Sequence, residues 1–137
     1  MDTTREGGLL AWQLREYPKG HRDRRNLIVH VVTVPLFHAG VLALILALFW
    51  SGWLLVIAIP AMLIPIALQG RTHGLEATAP IPFRGPLDFV SRIVAEQLIT
   101  YPRFVAGGGF TSAWRASAQF PSSSEPDTQA AAPKPPT

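Results

Sequence analysis

Residues 26–70 read NLIVHVVTVPLFHAGVLALILALFWSGWLLVIAIPAMLIPIALQG, 45 positions without a lysine, arginine, aspartate or glutamate. A chain of 137 residues builds too small a core to hide a stretch of that length, so the expected surrounding is lipid. The block divides at Trp50-Ser51-Gly52-Trp53, where glycine supplies a turn and the two tryptophans suit a membrane–water interface. At roughly 1.5 Å of rise per residue, each half is long enough to cross a hydrocarbon core of about 30 Å. The expected spans are residues 27–49 and 50–69. Pro35, Pro60 and Pro65 lie inside them, and each removes an N–H and frees a carbonyl, so kinks are expected. The fold class expected is all-α, an integral membrane helical hairpin.

Charge distribution orients that hairpin. Arg22, Arg24 and Arg25 precede the first span and Arg71 follows the second, while the far end carries no charge. The bias of basic residues toward the cytoplasm predicts both termini there, in a bacterial-type inner membrane. The chain has 12 basic and 9 acidic residues, a net charge of +3, and only 15% charged positions. The basic cluster ends where the apolar segment begins rather than running along an exposed face, so a nucleic-acid partner is not expected. With no cysteine, disulfides and thiolate metal sites are excluded.

Outside the hairpin, residues 9–16 predict a short N-terminal helix ended by Pro18-Lys19-Gly20. The chain turns apolar only at residue 27, so a cleaved signal peptide is not expected. Residues 79–86 (APIPFRGP) are too proline-rich for helix and predict an extended crossing. Over residues 86–100, Val90, Ile93, Val94 and Leu98 follow helical spacing with Asp88, Arg92 and Glu96 opposite. That pattern predicts an amphipathic helix lying along the interface or packing on the hairpin, stopped by Tyr101-Pro102. Gly107-Gly108-Gly109 predicts a turn. Residues 1–120 therefore form a single membrane domain, and the Pro/Ser/Ala-rich tail, 121–137, is expected to be disordered.

Three of the four histidines gather at one end of the hairpin. His21 precedes the first span, His30 sits about one turn inside it, and His73 follows the second span. Glu76 lies three residues after His73 and Asn26 four before His30, spacings that share a helical face. Each alone has an ordinary reading: an interfacial base, an interhelical hydrogen bond, a solvated turn. Together they point to a metal or acid/base site, because ionisable groups near membrane depth are costly and seldom idle. Histidine with carboxylate suits ferrous iron. His38, roughly 12 Å deeper by helical rise, is read as an interhelical hydrogen bond. No glycine-rich phosphate loop, G-x-S-x-G elbow or HExxH occurs.

The pattern His21-x4-Asn26-x3-His30-x4-Pro35, a second span, then Gln69-x3-His73-x2-Glu76-x3-Pro80 resembles the family of small membrane proteins typified by the yeast 2-hydroxy-fatty-acid dioxygenase. Pro86-Leu87-Asp88-Phe89-Val90 and Glu96-Gln97-x3-Tyr101-Pro102-Arg103-Phe104-Val105 extend the resemblance, which runs from about Tyr17 to Gly109. The chain departs from the pattern at Thr33, where relatives often carry glycine, and at Arg71-Thr72. The resemblance implies an Fe(II)-dependent oxidoreductase that shortens a 2-hydroxy fatty acid by one carbon. It implies His21, His30 and His73 as iron ligands, with Glu76 and Asn26 as further ligands or as groups orienting them. Arg22, Arg25 or Arg71 would pair with the substrate carboxylate through a charge-assisted fork. The competing class is a non-enzymatic membrane accessory, scaffold or lipid-binding protein, whose histidines would bind no metal. A transporter subunit would need a polar path, for which the spans offer only His38, Thr33 and Ser51. A hairpin of this size buries little of its own surface, which leaves room for a homodimer.

Overall fold

The computed structural model describes residues 5–119, and among them every regular element is helical. The order is α1 (Gly8–Glu16), a 3-10 turn (Tyr17–Gly20), α2 (Arg24–Phe49), α3 (Leu55–Thr72), α4 (Pro86–Ala95), a π turn (Glu96–Thr100), α5 (Tyr101–Ala106) and α6 (Gly109–Gln119). The tail expected to be disordered lies outside the described residues.

Helix α2 starts at Asp23, whose carboxylate accepts the Arg25 backbone N–H at 2.8 Å and satisfies one of the donors that a helix start leaves free. It ends at Trp50, and a 3-10 turn at Gly52–Leu54 reverses the chain into α3. The two helices approach closely at Gly40. A Cβ there would stand 2.8 Å from Met62 Cγ, 3.0 Å from the Ala61 carbonyl carbon and 3.1 Å from Ala58 O. Ala58 and Ala61, both buried, complete a seam of small residues that brings the backbones together. Pro35, Pro60 and Pro65 all lie within the helices, as expected.

The outside of this hairpin is apolar. Leu48, Phe49, Trp50 and Val56 are each more than 70% exposed. Two helical segments, Arg24–Phe49 and Gly52–Leu75, are long and apolar enough to cross a membrane.

The C-terminal arm departs from expectation in two ways. Tyr101-Pro102 does not stop the helix: the chain passes through the π turn and continues to Ala106. Pro102 sits in the first turn of α5, where its missing N–H costs little. The preceding Tyr101 N–H reaches back five residues to Glu96 O, and this wider turn absorbs the break in the ladder. The second departure is the direction of α4. Its apolar positions point outward, with Leu87 86% and Val90 55% exposed, while Asp88, Arg92 and Glu96 turn toward the rest of the molecule. Asp88 pairs with Arg5, and Glu96 reaches the end of the hairpin. After α5, Gly108 at φ 78° turns the chain into α6, whose Trp114 ring lies 4.0 Å from the Arg24 guanidinium.

Candidate metal centre

Four side chains from separate parts of the chain meet where α2 begins and α3 ends. His21 follows the 3-10 turn, His30 lies on α2, His73 closes α3, and Glu96 opens the π turn. One potential ligand atom from each lies within 4.8 Å of all the others. Glu96 Oε1 stands 3.4 Å from His30 Nε2, 3.8 Å from His21 Nε2 and 4.0 Å from His73 Nε2. The imidazoles are nearly perpendicular, with interplanar angles of 85°, 89° and 75°.

The tautomers follow from the partners. His21 Nδ1 is 2.8 Å from Tyr17 O, and His30 Nδ1 is 3.0 Å from Asn26 O. A carbonyl only accepts, so each Nδ1 carries the proton and each Nε2 presents a lone pair. The two Nε2 atoms are 3.3 Å apart. Two acceptors at that distance repel unless a proton or a cation lies between them. A backbone carbonyl holding the far nitrogen is also how metal-binding histidines are oriented. Burial, then the neighbouring His30, pushes the His21 imidazole down to about 3. Burial alone would raise the Glu96 carboxyl, but the adjoining His30 and then the His21 and His73 imidazoles hold it at about 2. Near neutral pH, His21 and Glu96 are thus unprotonated, the state metal ligands require. The donor set, three imidazole nitrogens and a carboxylate oxygen, can hold a metal ion.

Compared with known protein families, with curated proteins and with solved structures, the chain matches none. The chemistry of the site therefore rests on its own residues.

Glu76 and Asn26, expected as ligands or orienting groups, sit in orienting positions. The Glu76 carboxylate accepts the backbone N–H groups of Arg22 at 3.0 Å and Asp23 at 3.1 Å, and the Asn26 amide at 2.8 Å. It thereby ties the His21 loop to the segment after His73, beside the positive end of α2. Asn26, fully buried, also donates to Gly20 O and accepts from Thr72 Oγ1 at 2.8 Å. Glu96 is the member that the sequence reading missed. It stood among the polar positions of an amphipathic helix, and the trace of its role was the Glu96-Gln97-x3-Tyr101-Pro102 segment that marks the π turn.

The π turn is held from within the hairpin. Gln97 Nε2 donates to Gln69 Oε1 at 2.5 Å, and Gln69 Nε2 donates to Thr33 Oγ1 at 2.7 Å. His38 Nε2 lies 2.9 Å from Gln97 O, the interhelical hydrogen bond expected of it. Gln97, Gln69 and Thr33 are all buried. Thr33 and Thr72, two of the departures from the resembled pattern, thus carry hydrogen bonds that hold the site. Tyr17 adds a hydroxyl donated to Glu96 at 3.2 Å and a ring stacked 3.7 Å from His21.

A cavity of about 390 Å³ opens beside the cluster, lined by His21, His73 and Glu96 at one end. The arginine at its wall is Arg92. Arg22 and Arg25 line a separate cleft with Glu76, and Arg25 forks onto Asp23 at 3.1 Å. Arg71 is exposed near the end of α3.

Proposed function

We propose that this chain is a two-span membrane protein whose histidine–carboxylate cluster holds Fe(II) and acts on 2-hydroxy fatty acids by one-carbon α-oxidation, as in the dioxygenase family it resembles. The observation that carries the reading is the convergence of three imidazoles and one carboxylate at the end of an apolar hairpin. The membrane part is supported by the way the long helices are exposed. A core helix of a soluble protein would be mostly buried, whereas only 22% and 17% of the most apolar stretches of the two helices are buried. The basic flanks, Arg22, Arg24, Arg25 and Arg71, support a cytoplasmic face for the cluster.

When bound, ferrous iron supplies a redox-active Lewis acid with open positions beyond its protein ligands. His21, His30, His73 and Glu96 would hold it. The chain's own residues do the rest. Tyr17 fixes Glu96 through its hydroxyl and covers the face of the His21 ring. Glu76 and Asn26 keep the His21 loop against the end of α3. The adjoining cavity, walled mainly by apolar side chains, keeps water from the acyl chain while its polar end meets the head.

Metal content after anaerobic ferrous loading of the detergent-purified protein tests this reading. The wild type should carry about one iron per chain, and His30→Ala should carry none above background. A product assay with 2-hydroxy acids then separates the enzyme from a metal-binding accessory protein. No iron in either protein would overturn the reading in favour of a non-enzymatic membrane protein.

A further inference from the structure

Arg92 occupies an unusual position in the cavity beside the cluster. It stands one helical turn before Glu96, so the two side chains share a face of the α4 arm. Its Nη1 donates to Ile81 O at 2.9 Å and Pro82 O at 3.2 Å. The guanidinium carbon lies 4.3 Å from the Phe83 ring and 5.1 Å from the Trp12 ring. Its Nε is buried and makes no hydrogen bond. The neighbouring carboxylates are engaged elsewhere: Asp88 accepts from Arg5 and from the Arg84 N–H, and Glu96 faces the histidines. Gln13, which donates to Arg92 O at 3.0 Å, leaves its own buried Oε1 without a partner.

The remaining walls of this cavity are apolar, with Ile66 from α3, Ile81 and Phe83 from the proline-rich segment, and Phe89 and Ile93 from α4. A fixed cation with an unsatisfied donor, set against apolar walls, matches a single-chain amphiphile with an anionic head. An unsatisfied acceptor beside it, Gln13 Oε1, matches a ligand that also brings a hydroxyl donor.

We infer that Arg92 anchors the carboxylate of a single-chain hydroxy acid whose tail lies along Ile66, Ile81, Phe83, Phe89 and Ile93. The inference rests on the proposed reading of the cluster for the reaction, and it narrows that reading by assigning the head-group anchor to Arg92 rather than to Arg22, Arg25 or Arg71. Arg92 is a specificity-determining residue in this scheme. Its position one turn from Glu96 holds the head beside the imidazoles and leaves the chain in the apolar part of the cavity.

The test is equilibrium binding of 2-hydroxyhexadecanoate and of the diol of the same length, which lacks the carboxylate. Both are titrated into the full chain in detergent, with and without added Fe(II). Wild type should prefer the acid by about tenfold, the worth of one charge-assisted hydrogen bond. Arg92→Gln should lose that preference while binding the diol as before, and Arg92→Lys should recover part of it. A wild type that does not distinguish acid from diol overturns the inference. So does an Arg92→Gln variant whose affinities for both ligands fall together, because Arg92 would then only strap the proline-rich segment. A protein that takes up no iron yet shows the Arg92-dependent preference sinks the metal reading and upholds this one.

Discussion

The hairpin and the α4–α5 arm both present apolar side chains outward, but they reach that state by opposite routes. In α2 and α3 apolar residues dominate nearly all round, and the few polar ones, His30, Thr33 and Gln69 among them, are buried, so the outward face is apolar. In α4 the helix is two-faced, and its charged side turns in. Leu87 and Val90 are exposed, while the Asp88 and Glu96 side chains are only 10% and 15% exposed. A helix of this pattern in water hides its apolar stripe. Here the inward charges each have partners: Arg5 for Asp88, backbone carbonyls for Arg92 and the histidines for Glu96. The lesson is that an amphipathic pattern specifies two faces but not which one is buried. That choice depends on what waits on each side, partners within the fold or an apolar surrounding outside it.

The comparison is sharpened most strongly by separating the two glutamates. Glu96→Ala on the arm removes a donor from the cluster and should weaken metal binding by more than the roughly 10–100-fold that loss of an orienting partner costs. Glu76→Ala should stay within that range, because it loosens the His21 loop without touching the ligand atoms. Competition titration with a chelator reads both, and equal losses would remove the distinction between ligand and buttress.

On the hairpin side, Gly40→Val places carbon where Met62 Cγ, Ala61 C and Ala58 O already stand. Overpacking of this kind costs typically about 1–3 kcal/mol. Denaturation in mild detergent should report it as lower stability, with metal lost only as the hairpin parts. A stable Gly40→Val protein would break the claim that the seam is closed at that point.

A further effect is expected on pH dependence. His21 takes its proton only at about 3 in the folded chain, against 6.5 when unfolded. The unfolded state therefore binds the proton first as pH falls. Stability of the metal-free protein is full above about 6.5 and declines as pH drops from there toward 3. Thermal unfolding of wild type beside His21→Gln checks this, since the variant should show a shallower decline over that window. Equal slopes would mean that His21 is not held neutral by its surroundings.

Much of the fold could be read from residue types alone. Forty-five uncharged positions with a Trp-Ser-Gly-Trp break leave few alternatives to two long apolar helices, because apolarity all round a helix survives any rotation or small shift in register. The approach of His21, His30 and His73 was readable for a related reason: a hairpin brings its two ends together whatever its details. Glu76 and Asn26 were found as neighbours of the site, yet the sequence left open whether they bind or orient. The capture of backbone N–H groups by Glu76 settles its place.

Glu96 and Arg92 were decided by tertiary structure. Both lie on a helix whose rotation depends on an extra residue in the π turn and on buried hydrogen bonds from Gln69, Thr33 and His38. A shift of one residue rotates a helix by about 100°, enough to exchange the face toward the histidines for the face toward the surroundings. Hydrophobic content is a sum over residues and survives in the sequence, whereas the direction in which one carboxylate points depends on contacts among segments far apart in the chain. For that reason the hairpin and its three histidines were determined by the sequence itself, and the fourth donor and the cavity arginine only by the packed structure.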